Sequence, residues 1–279
     1  MSAPENRADQ GTGWPENRAA DGRMGARRCG ALCTDRATAS RPKPALGGAT
    51  LLTIMGDYYE RKLAAGSLQR VYELAPPRVR RYLDAEVDFV VRRLRPTDLV
   101  LDLGCGYGRT LPHLAGKAAL IVGIDTSAAS LALARERLNR CPNVLLARMD
   151  ASSLAFVEDS FDVVVCIQNG IAAFQIDQRG LVRESLRVLR PGGTAMFSSY
   201  ADRFWAHRLE WFEAQAAAGL IGEIDRERTG QGIIFCRDGL TLTTVRPADF
   251  AALVVGLNVS WQAIEVDQSS QFYVLKKPA

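Results

Sequence analysis

Three glycines at alternate positions, directly after an apolar run, could hold a small charged ligand. The stretch reads Val100-Leu101-Asp102-Leu103-Gly104-Cys105-Gly106-Tyr107-Gly108-Arg109. Glycine lets the backbone approach a ligand closely, and the start of a following helix favours a negative group. The acid at Asp102 suits a cationic ammonium more than a pyrophosphate. A dinucleotide fingerprint, G-x-G-x-x-G, would also require glycine where this chain has Arg109.

Two further acids follow later apolar runs. Asp125 closes the run 119–124, and Asp150 follows the run 143–147. A carboxylate at the end of a second strand can accept hydrogen bonds from both hydroxyls of a ribose. An acid after the third strand could accept a hydrogen bond from an adenine amino group. Together with the glycines, these acids predict a pocket for a nucleoside that carries a zwitterionic amino acid.

The elements that must position these residues alternate along the chain. Apolar runs predict five strands, at 99–103, 119–124, 143–147, 161–167 and 194–199. Helical spacing predicts helices between them, at 107–116, 128–139 and 178–189. Strands that are apolar on both faces and separated by helices indicate a parallel sheet covered on both sides. Right-handed crossovers then make the α/β fold doubly wound.

The segments on either side of this alternation predict a different arrangement. Asp57 can cap a helix that runs to Tyr72, and a second helix follows Pro76-Pro77. After the fifth strand we expect a helix at 202–218, a hairpin at 232–245 and a helix that begins at Pro247. The last two strands, 259–266 and 271–276, are joined by a loop too short for a crossover helix, so they should be antiparallel.

The glycine stretch resembles motif I of the class I S-adenosylmethionine-dependent methyltransferases, of the methyltransferase type 11 or UbiE-like group. Two later segments resemble the fourth-strand and fifth-strand motifs of that group: Phe161-Asp162-Val163-Val164-Val165-Cys166-Ile167-Gln168-Asn169-Gly170 and Leu186-Arg187-Val188-Leu189-Arg190-Pro191-Gly192-Gly193-Thr194. The resemblance covers roughly residues 56–279. It implies a seven-stranded, mostly parallel Rossmann-like sheet with an antiparallel last strand. It also implies an N-terminal helical cap and a helix-hairpin cap inserted at about 201–245.

The resemblance further implies an enzyme with S-adenosylmethionine as its cofactor. In this family, the residues that match Asp102, Gly104, Cys105 and Gly106 contact the methionine part of the cofactor. The resemblance likewise assigns the ribose to Asp125 and Thr126, and the adenine to Asp150 and Ala151. It places Gln168 and Asn169 beside the methyl group. The segment Ile167-Gln168-Asn169-Gly170 departs from the Asn-Pro-Pro-Tyr of amino-directed nucleic-acid methyltransferases. This departure argues against methylation of a base.

The methyl acceptor is expected to be a small molecule whose thiol, hydroxyl, amine, ring carbon or metalloid attacks the methyl group in line. A hydroxyl or amine would need a general base more than a thiol would. His207, after the fifth strand, and Tyr59, in the N-terminal helix, are the candidate catalytic residues. Each has a structural alternative, because His207 could be a surface histidine and Tyr59 a packing residue. Trp205, Trp211 and Phe212 could belong to the core or to a substrate cage.

Charge and cysteine content limit other functions. The 279 residues carry a formal net charge of +4, with no dense basic face of the kind that nucleic-acid binding needs. The six cysteines form no CxxC pair, which favours reduced thiols in a cytoplasmic protein and no metal site. No apolar run approaches the ~20 residues of a membrane-spanning helix. We expect a monomer or a homodimer without nucleic-acid partners.

The first 54 residues differ in composition from the remainder. They contain few large apolar side chains, and the pentapeptide Pro-Glu-Asn-Arg-Ala occurs in them twice. Such a segment cannot bury enough apolar surface to offset its ordering entropy. We therefore predict a disordered tail at 1–54 and a methyltransferase domain at 55–279. Met55 is, on one hypothesis, the natural start.

Two other functions stay open at this level. A nicotinamide-dependent oxidoreductase could use a similar sheet, although Arg109 occupies the position of its third glycine. A non-catalytic S-adenosylmethionine-binding module would keep the cofactor pocket and lack an acceptor cavity. The near-neutral body of the chain argues against a methyltransferase that acts on a macromolecule.

Overall fold

Nine strands are present in the computed structural model, which describes residues 58–59 and 62–279. They are β1 (Leu99–Leu103), β2 (Leu120–Asp125), β3 (Val144–Arg148), β4 (Phe161–Cys166), β5 (Leu189–Tyr200), β6 (Ile234–Phe235), β7 (Thr241–Leu242), β8 (Ser260–Val266) and β9 (Ser270–Lys276). Seven of them form one sheet in the order β3-β2-β1-β4-β5-β9-β8, and β6 pairs with β7. Strands β1 to β5 pair in parallel, whereas β9 is antiparallel to both β5 and β8. This is the sheet that the resemblance implied.

Eight α-helices surround these strands in the described part of the chain. They are α1 (Gly66–Glu73), α2 (Pro77–Val91), α3 (Leu111–Ala115), α4 (Ala128–Arg137), α5 (Gly170–Ala173), α6 (Gln178–Val188), α7 (Trp205–Ala217) and α8 (Pro247–Val254). A 3-10 turn, Asp202–Phe204, precedes α7. The Ser127 side chain accepts a hydrogen bond from the Ser130 amide and so caps the start of α4.

The alternation of side chains along the central strands builds a core on each face of the sheet. Leu101 of β1 and Val164 of β4 lie in the core on one face. Their neighbours Val100 and Val163 lie in the core on the other face. All five residues of β1 are buried, so the strand is covered on both faces, as a central parallel strand must be.

A third apolar cluster caps the carboxyl ends of the central strands. It joins Val71 of α1 and Tyr82 of α2 to Trp211 of α7 and to Ile234 of the β6–β7 hairpin. The indole nitrogen of Trp211 donates to the Val71 carbonyl at 3.0 Å. The two predicted caps, one before the sheet and one inserted after β5, therefore pack together as one layer.

The structure departs from the sequence predictions at three places. The helix predicted at 107–116 is confined to α3, because Gly106 and Gly108 hold positive φ angles of 54° and 79°. Strand β5 begins at Leu189 rather than at 194, with an irregular register where Pro191 and Gly192 leave the ladder. In the segment where a helix is expected from position 57, residues 58–59 are helical, and a helix begins again at Gly66.

Some predictions fall on residues outside the described part of the chain. The Asp57 cap and the tail at 1–54 are among them. Within the described residues, no helix combines the length and the apolar character that crossing a bilayer requires.

Candidate functional site

A cavity of about 410 Å³ opens at the carboxyl ends of β1, β2 and β4, beneath the cap. We call one part of its wall the glycine end, formed by Gly104, Gly106, Asp125, Thr126, Asp150 and Ala151. We call another part the aromatic end, formed by Tyr59, Leu63, Tyr200, Trp211, Phe212 and Gln215. Gln168, just after β4, also lines the cavity. Ligands of open α/β sheets bind at this edge of the sheet.

The glycine loop turns tightly because its backbone bonds to the neighbouring strand. The amides of Gly104 and Cys105 both donate to the Ile124 carbonyl at 2.9 Å. Gly104 has a φ of +77°, and a Cβ there would lie 2.4 Å from Cζ of Phe174. A side chain at this position would therefore be strained and would press against a residue that lines the cavity.

Asp125 ties the glycine loop to the start of α4. One carboxylate oxygen accepts from the Gly106 amide at 2.9 Å, and the other accepts from the Ser127 amide at 2.8 Å. Asp125 also lines the main cavity. The same side chain can thus fix the loop and face the cavity.

A smaller cavity of about 40 Å³ lies against the glycine loop, with Asp102 and Arg109 in its wall. Asp102 is 3% exposed and accepts from the Thr110 hydroxyl at 3.2 Å. Burial raises the pKa of this carboxyl to about 7, and the Thr110 hydrogen bond opposes that rise. The Arg109 guanidinium lies over the Tyr72 ring at 4.7 Å. Its buried Nε and Nη2 have no hydrogen-bond partner among the described residues.

The segment after β4 is held in a left-handed conformation by buried partners. Gln168 and Asn169 have φ angles of 58° and 62°. The Gln168 amide donates to a carboxylate oxygen of Glu86 at 2.6 Å, and its side-chain oxygen accepts from the Tyr72 hydroxyl at 2.9 Å. The Asn169 side-chain oxygen accepts from the Ser199 hydroxyl at 2.7 Å. These contacts fix the position of Gln168 in the cavity wall.

Glu86 of α2 is fully buried behind this segment. Its second carboxylate oxygen accepts a short hydrogen bond from the Ser270 hydroxyl. Burial raises the pKa of Glu86 to about 7, against the opposing effect of its hydrogen bonds. The carboxyl therefore anchors the cap helix to the segment after β4 and to β9.

The aromatic end is made by side chains from three distant parts of the chain. Tyr59 precedes α1, Tyr200 ends β5, and Trp211 and Phe212 belong to α7. Tyr72 packs against Trp211 with ring centroids 6.0 Å apart. The result is an apolar wall opposite the polar glycine end.

Comparison with known proteins shows what part of this chain resembles. Residues 100–193 match a family of methyltransferase domains. The chain is 37% identical over 123 residues to an arsenite methyltransferase of Aquipseudomonas alcaligenes, a match that covers 39% of this chain and 35% of that protein. It is 30% identical over 131 residues to a ubiquinone biosynthesis O-methyltransferase of Pseudomonas fluorescens, covering 46% and 53%. The crystal structure of the PH0226 protein from Pyrococcus horikoshii shares the fold, with 22% identity, a TM-score of 0.55 and coverage of 74% and 93%.

Residues 100–193 of this chain are thus similar to methyltransferase domains. The two matches to curated relatives span between about a third and about half of the length of those proteins.

The structure brings together most of the site residues predicted from sequence. The main cavity is lined by Gly104, Gly106, Asp125, Thr126, Asp150, Ala151, Gln168 and Tyr59. Asp102 and Cys105 line the smaller cavity instead. Asn169 lines neither cavity, because its side chain is directed to Ser199 and to the Thr243 carbonyl.

His207 lines neither the main cavity nor the smaller one. The buried face of α7 carries Arg208, Trp211, Phe212 and Gln215, at the spacing of one helical stripe. His207 lies off this stripe, and its side chain is 46% exposed, 3.8 Å from Glu210. Its position gives no support to a role as general base.

Sequence reasoning missed three residues around the two cavities. Arg109 was weighed only as a missing glycine, yet its guanidinium lies in the wall of the smaller cavity. Glu86 and Gln215 were not considered, and they are 0% and 1% exposed. A polar residue on the apolar stripe of a predicted helix was the available signal for both.

Proposed function

We propose that this protein transfers the methyl group of S-adenosylmethionine to a small-molecule acceptor. The observation that carries the proposal is the single cavity with a polar glycine end and an apolar aromatic end. A nucleoside cofactor suits the first, and a second, less polar molecule suits the other. The Gln168 segment, which the resemblance sets beside the methyl group, belongs to the same cavity wall.

The residues of the glycine end fit this cofactor. Because Gly104 has no side chain, the cofactor can approach the loop backbone closely. A Cβ at this position would instead collide with Phe174. In the adjoining smaller cavity, an acid and a guanidinium with unpartnered nitrogens suit an ammonium and a carboxylate. Asp102 and Arg109 would thus hold the methionine part, Asp125 the ribose hydroxyls, and Asp150 with Ala151 the adenine. When bound, the cofactor supplies an electrophilic methyl group on a sulfonium.

The protein's own contribution is positioning and exclusion of water. The cap brings Tyr59, Tyr200 and Trp211 over the cavity, which shields the reacting atoms from solvent. Holding two reactants in line can lower a barrier by about 7–11 kcal/mol. We expect positioning to make the largest contribution to the rate, because no acid or histidine lines the aromatic end in the described part of the chain.

Neither rival function gains support from the site. A nicotinamide dinucleotide would place a pyrophosphate against the glycine loop, where Asp102 offers a carboxyl and Arg109 replaces the third glycine. A non-catalytic module would not need a second, aromatic compartment next to the cofactor end. A shared fold alone would not separate these functions, so the argument rests on the site.

Calorimetry of the purified full chain with S-adenosylhomocysteine tests the proposal, with NADH as the matched competitor. We expect saturable binding of S-adenosylhomocysteine and none of NADH. A methyl-transfer assay with S-adenosylmethionine and a panel of phenols, thiols, amines and arsenite, followed by mass detection, then identifies the reacting class. Absence of binding to S-adenosylhomocysteine, or preference for NADH, would overturn the proposal.

A further inference from the structure

We propose that the buried carboxylate of Glu86 distinguishes S-adenosylmethionine from S-adenosylhomocysteine, because its negative charge attracts the sulfonium that only the first of them carries. This inference rests on the proposed methyl transfer and adds to it a residue that determines cofactor specificity. Glu86 lines neither cavity. It is therefore not a catalytic residue, and it acts from behind the wall that Gln168 forms.

The main cavity and the smaller cavity share a stretch of wall. In S-adenosylmethionine, the sulfur atom joins the amino-acid part to the ribose. The proposed function assigns the amino-acid part to Asp102 and Arg109 in the smaller cavity and the ribose to Asp125 in the main one. The sulfur then belongs at the shared wall. Six residues line both cavities: Leu68, Tyr72, Gly104, Gly106, Ile167 and Gln168.

Glu86 lies directly behind this shared wall. One of its carboxylate oxygens accepts from the Gln168 amide at 2.6 Å, and the residue is 0% exposed. Its charge also reaches a second residue of the wall, Tyr72. Burial raises the pKa of Tyr72, and the charge of Glu86 adds to that rise. A positive charge at the shared wall is therefore separated from Glu86 by the Gln168 backbone.

The Glu86 carboxylate has only neutral partners in the described part of the chain. The Gln168 amide and the Ser270 hydroxyl bond to it, and the hydroxyls of Ser198 and Tyr82 lie close enough to lower its pKa. A buried negative charge without a cation is costly. Burial accordingly raises the pKa of Glu86 to about 7. A sulfonium on the other side of Gln168 would offset part of this cost and favour the ionised form.

Among the groups that face Glu86, none changes charge near neutral pH. Burial raises the pKa of each of these side chains, so they stay neutral from pH 6 to pH 8. A change of charge behind the Gln168 segment in this range is therefore a change at Glu86. The side chains are Tyr72 of α1, Tyr82 of α2, Cys166 of β4 and Tyr200 of β5.

Asp102 contributes almost equally to the binding of both ligands. Its proposed partner is the ammonium of the amino-acid part, which S-adenosylmethionine and S-adenosylhomocysteine both carry. The effect of Asp102 on the two affinities therefore largely cancels in their ratio. A ratio that changes with pH isolates the group that responds to the sulfonium.

The ionisation of Glu86 and the binding of the sulfonium are coupled in both directions. If the sulfonium lowers the pKa of Glu86, the ionised carboxylate must raise the affinity for the sulfonium by the same factor. The proton that Glu86 loses goes to solvent. Once the methyl group has left, the sulfur is neutral and the attraction ends. The carboxylate thus favours binding of the methyl donor and release of its product.

The test is calorimetry of the full chain with S-adenosylmethionine and S-adenosylhomocysteine, without an acceptor, at pH 6 and pH 8. If the sulfonium lowers the pKa of Glu86 by about one unit, the affinity ratio should rise about fivefold in favour of S-adenosylmethionine. At pH 7, S-adenosylmethionine should release about 0.4 proton more than S-adenosylhomocysteine, measured in two buffers of different ionisation enthalpy. Sinefungin, which carries an ammonium in place of the sulfonium methyl, should follow S-adenosylmethionine.

Variants assign the pH dependence of the ratio to its residue. Glu86→Gln removes the charge and keeps an oxygen that can accept from the Gln168 amide, so the ratio should no longer change with pH. Glu136→Gln, at an exposed position on α4, is the matched control and should keep the fivefold rise. Asp102→Asn should weaken both ligands and also keep the rise. If Glu86→Gln does not fold, the unaltered chain and Asp102→Asn still decide the question.

Three outcomes would overturn the inference. One is an affinity ratio that stays constant from pH 6 to pH 8 in the unaltered chain. Another is an equal loss of both ligands in Glu86→Gln, since Glu86 would then only anchor the Gln168 segment. The third is a ratio that becomes independent of pH in Asp102→Asn. Failure of the unaltered chain to bind either ligand would instead refute the proposed function, so the two failures are distinguishable.

Discussion

The glycine end and the aromatic end of the cavity are built in different ways. At the glycine end, backbone amides of the loop bond to the Ile124 carbonyl and the Asp125 carboxylate, within one strand–loop–strand unit. At the aromatic end, Tyr59, Tyr200 and Trp211 meet through side-chain packing across more than half of the chain. The first is fixed by local geometry and the second by the packing of the cap. Changes at the glycine end should therefore have larger and more specific effects on the cofactor.

The largest effect is expected from Gly104→Ala. The new Cβ would be placed 2.4 Å from Phe174 Cζ at a φ of +77°, so the ring would have to move into the cavity. Strain and steric conflict of about 3 kcal/mol correspond to a loss of affinity of about 100-fold for S-adenosylhomocysteine. Isothermal titration calorimetry measures this loss.

Gly192→Ala is the matched control for that variant. Gly192 has a φ of +72°, and a Cβ there would meet nothing within 4 Å. It shares the backbone strain of Gly104 and lies far from the cavity, on the irregular part of β5. An equal loss of cofactor affinity in both variants would mean that general destabilisation, rather than the glycine end, explains the effect.

Asp125→Ala should have the second largest effect. The substitution removes the acceptor of the Gly106 and Ser127 amides and the proposed partner of the ribose hydroxyls. We expect the affinity for S-adenosylhomocysteine to fall by about 1–3 kcal/mol in calorimetry. Asp150→Ala, at an exposed position where the carboxylate accepts from the Ser152 amide, should cost less. A larger loss of affinity in Asp150→Ala than in Asp125→Ala would contradict the proposed assignment of the ribose to Asp125 and the adenine to Asp150.

The difference between the two ends also explains what could be predicted from sequence. The five alternating strands, the antiparallel pairing of the last two strands and the positions of Gly104 and Asp125 at strand ends follow from apolar runs and short-range spacing. Residues at strand ends of a parallel sheet must meet at one edge, so their positions along the chain suffice. Pro191 and Gly192 misled the prediction for β5, because an irregular stretch within a strand looks like a loop in sequence.

The aromatic end could not be derived in this way. Whether His207 or Arg208 faces inward depends on how α7 rotates against α1, and that rotation is set by contacts such as the Trp211–Val71 hydrogen bond. The burial of Glu86 depends on the packing of α2 against β9 and the segment after β4. No short-range pattern encodes these contacts, since they join residues far apart in sequence.

A moderate effect is expected from pH on cofactor binding. Burial raises the pKa of Asp102 to about 7, so its carboxyl is largely neutral at pH 6 and ionised at pH 8. Because an ammonium favours the ionised form, binding at pH 6 must first remove a proton. The affinity for S-adenosylhomocysteine should therefore rise about tenfold from pH 6 to pH 8. Calorimetry in two buffers of different ionisation enthalpy would detect the released proton.

Asp102→Asn should flatten this pH profile. The amide cannot ionise, so the variant is expected to bind weakly at both pH values, with no proton release. If the affinity of the variant still rises from pH 6 to pH 8, another group must be responsible for the pH dependence. Glu86, whose pKa is raised to about 7, is then the next residue to replace.

The smallest effect is expected from His207→Gln. The side chain is 46% exposed, lies off the buried stripe of α7 and faces the Glu210 carboxylate at 3.8 Å. Because this imidazole lines neither cavity, its loss should change kcat/KM by less than about twofold. Steady-state methyl transfer to the acceptor found in the panel measures this ratio. A fall of tenfold or more would show that α7 turns His207 inward during turnover and that the aromatic end does contain a base.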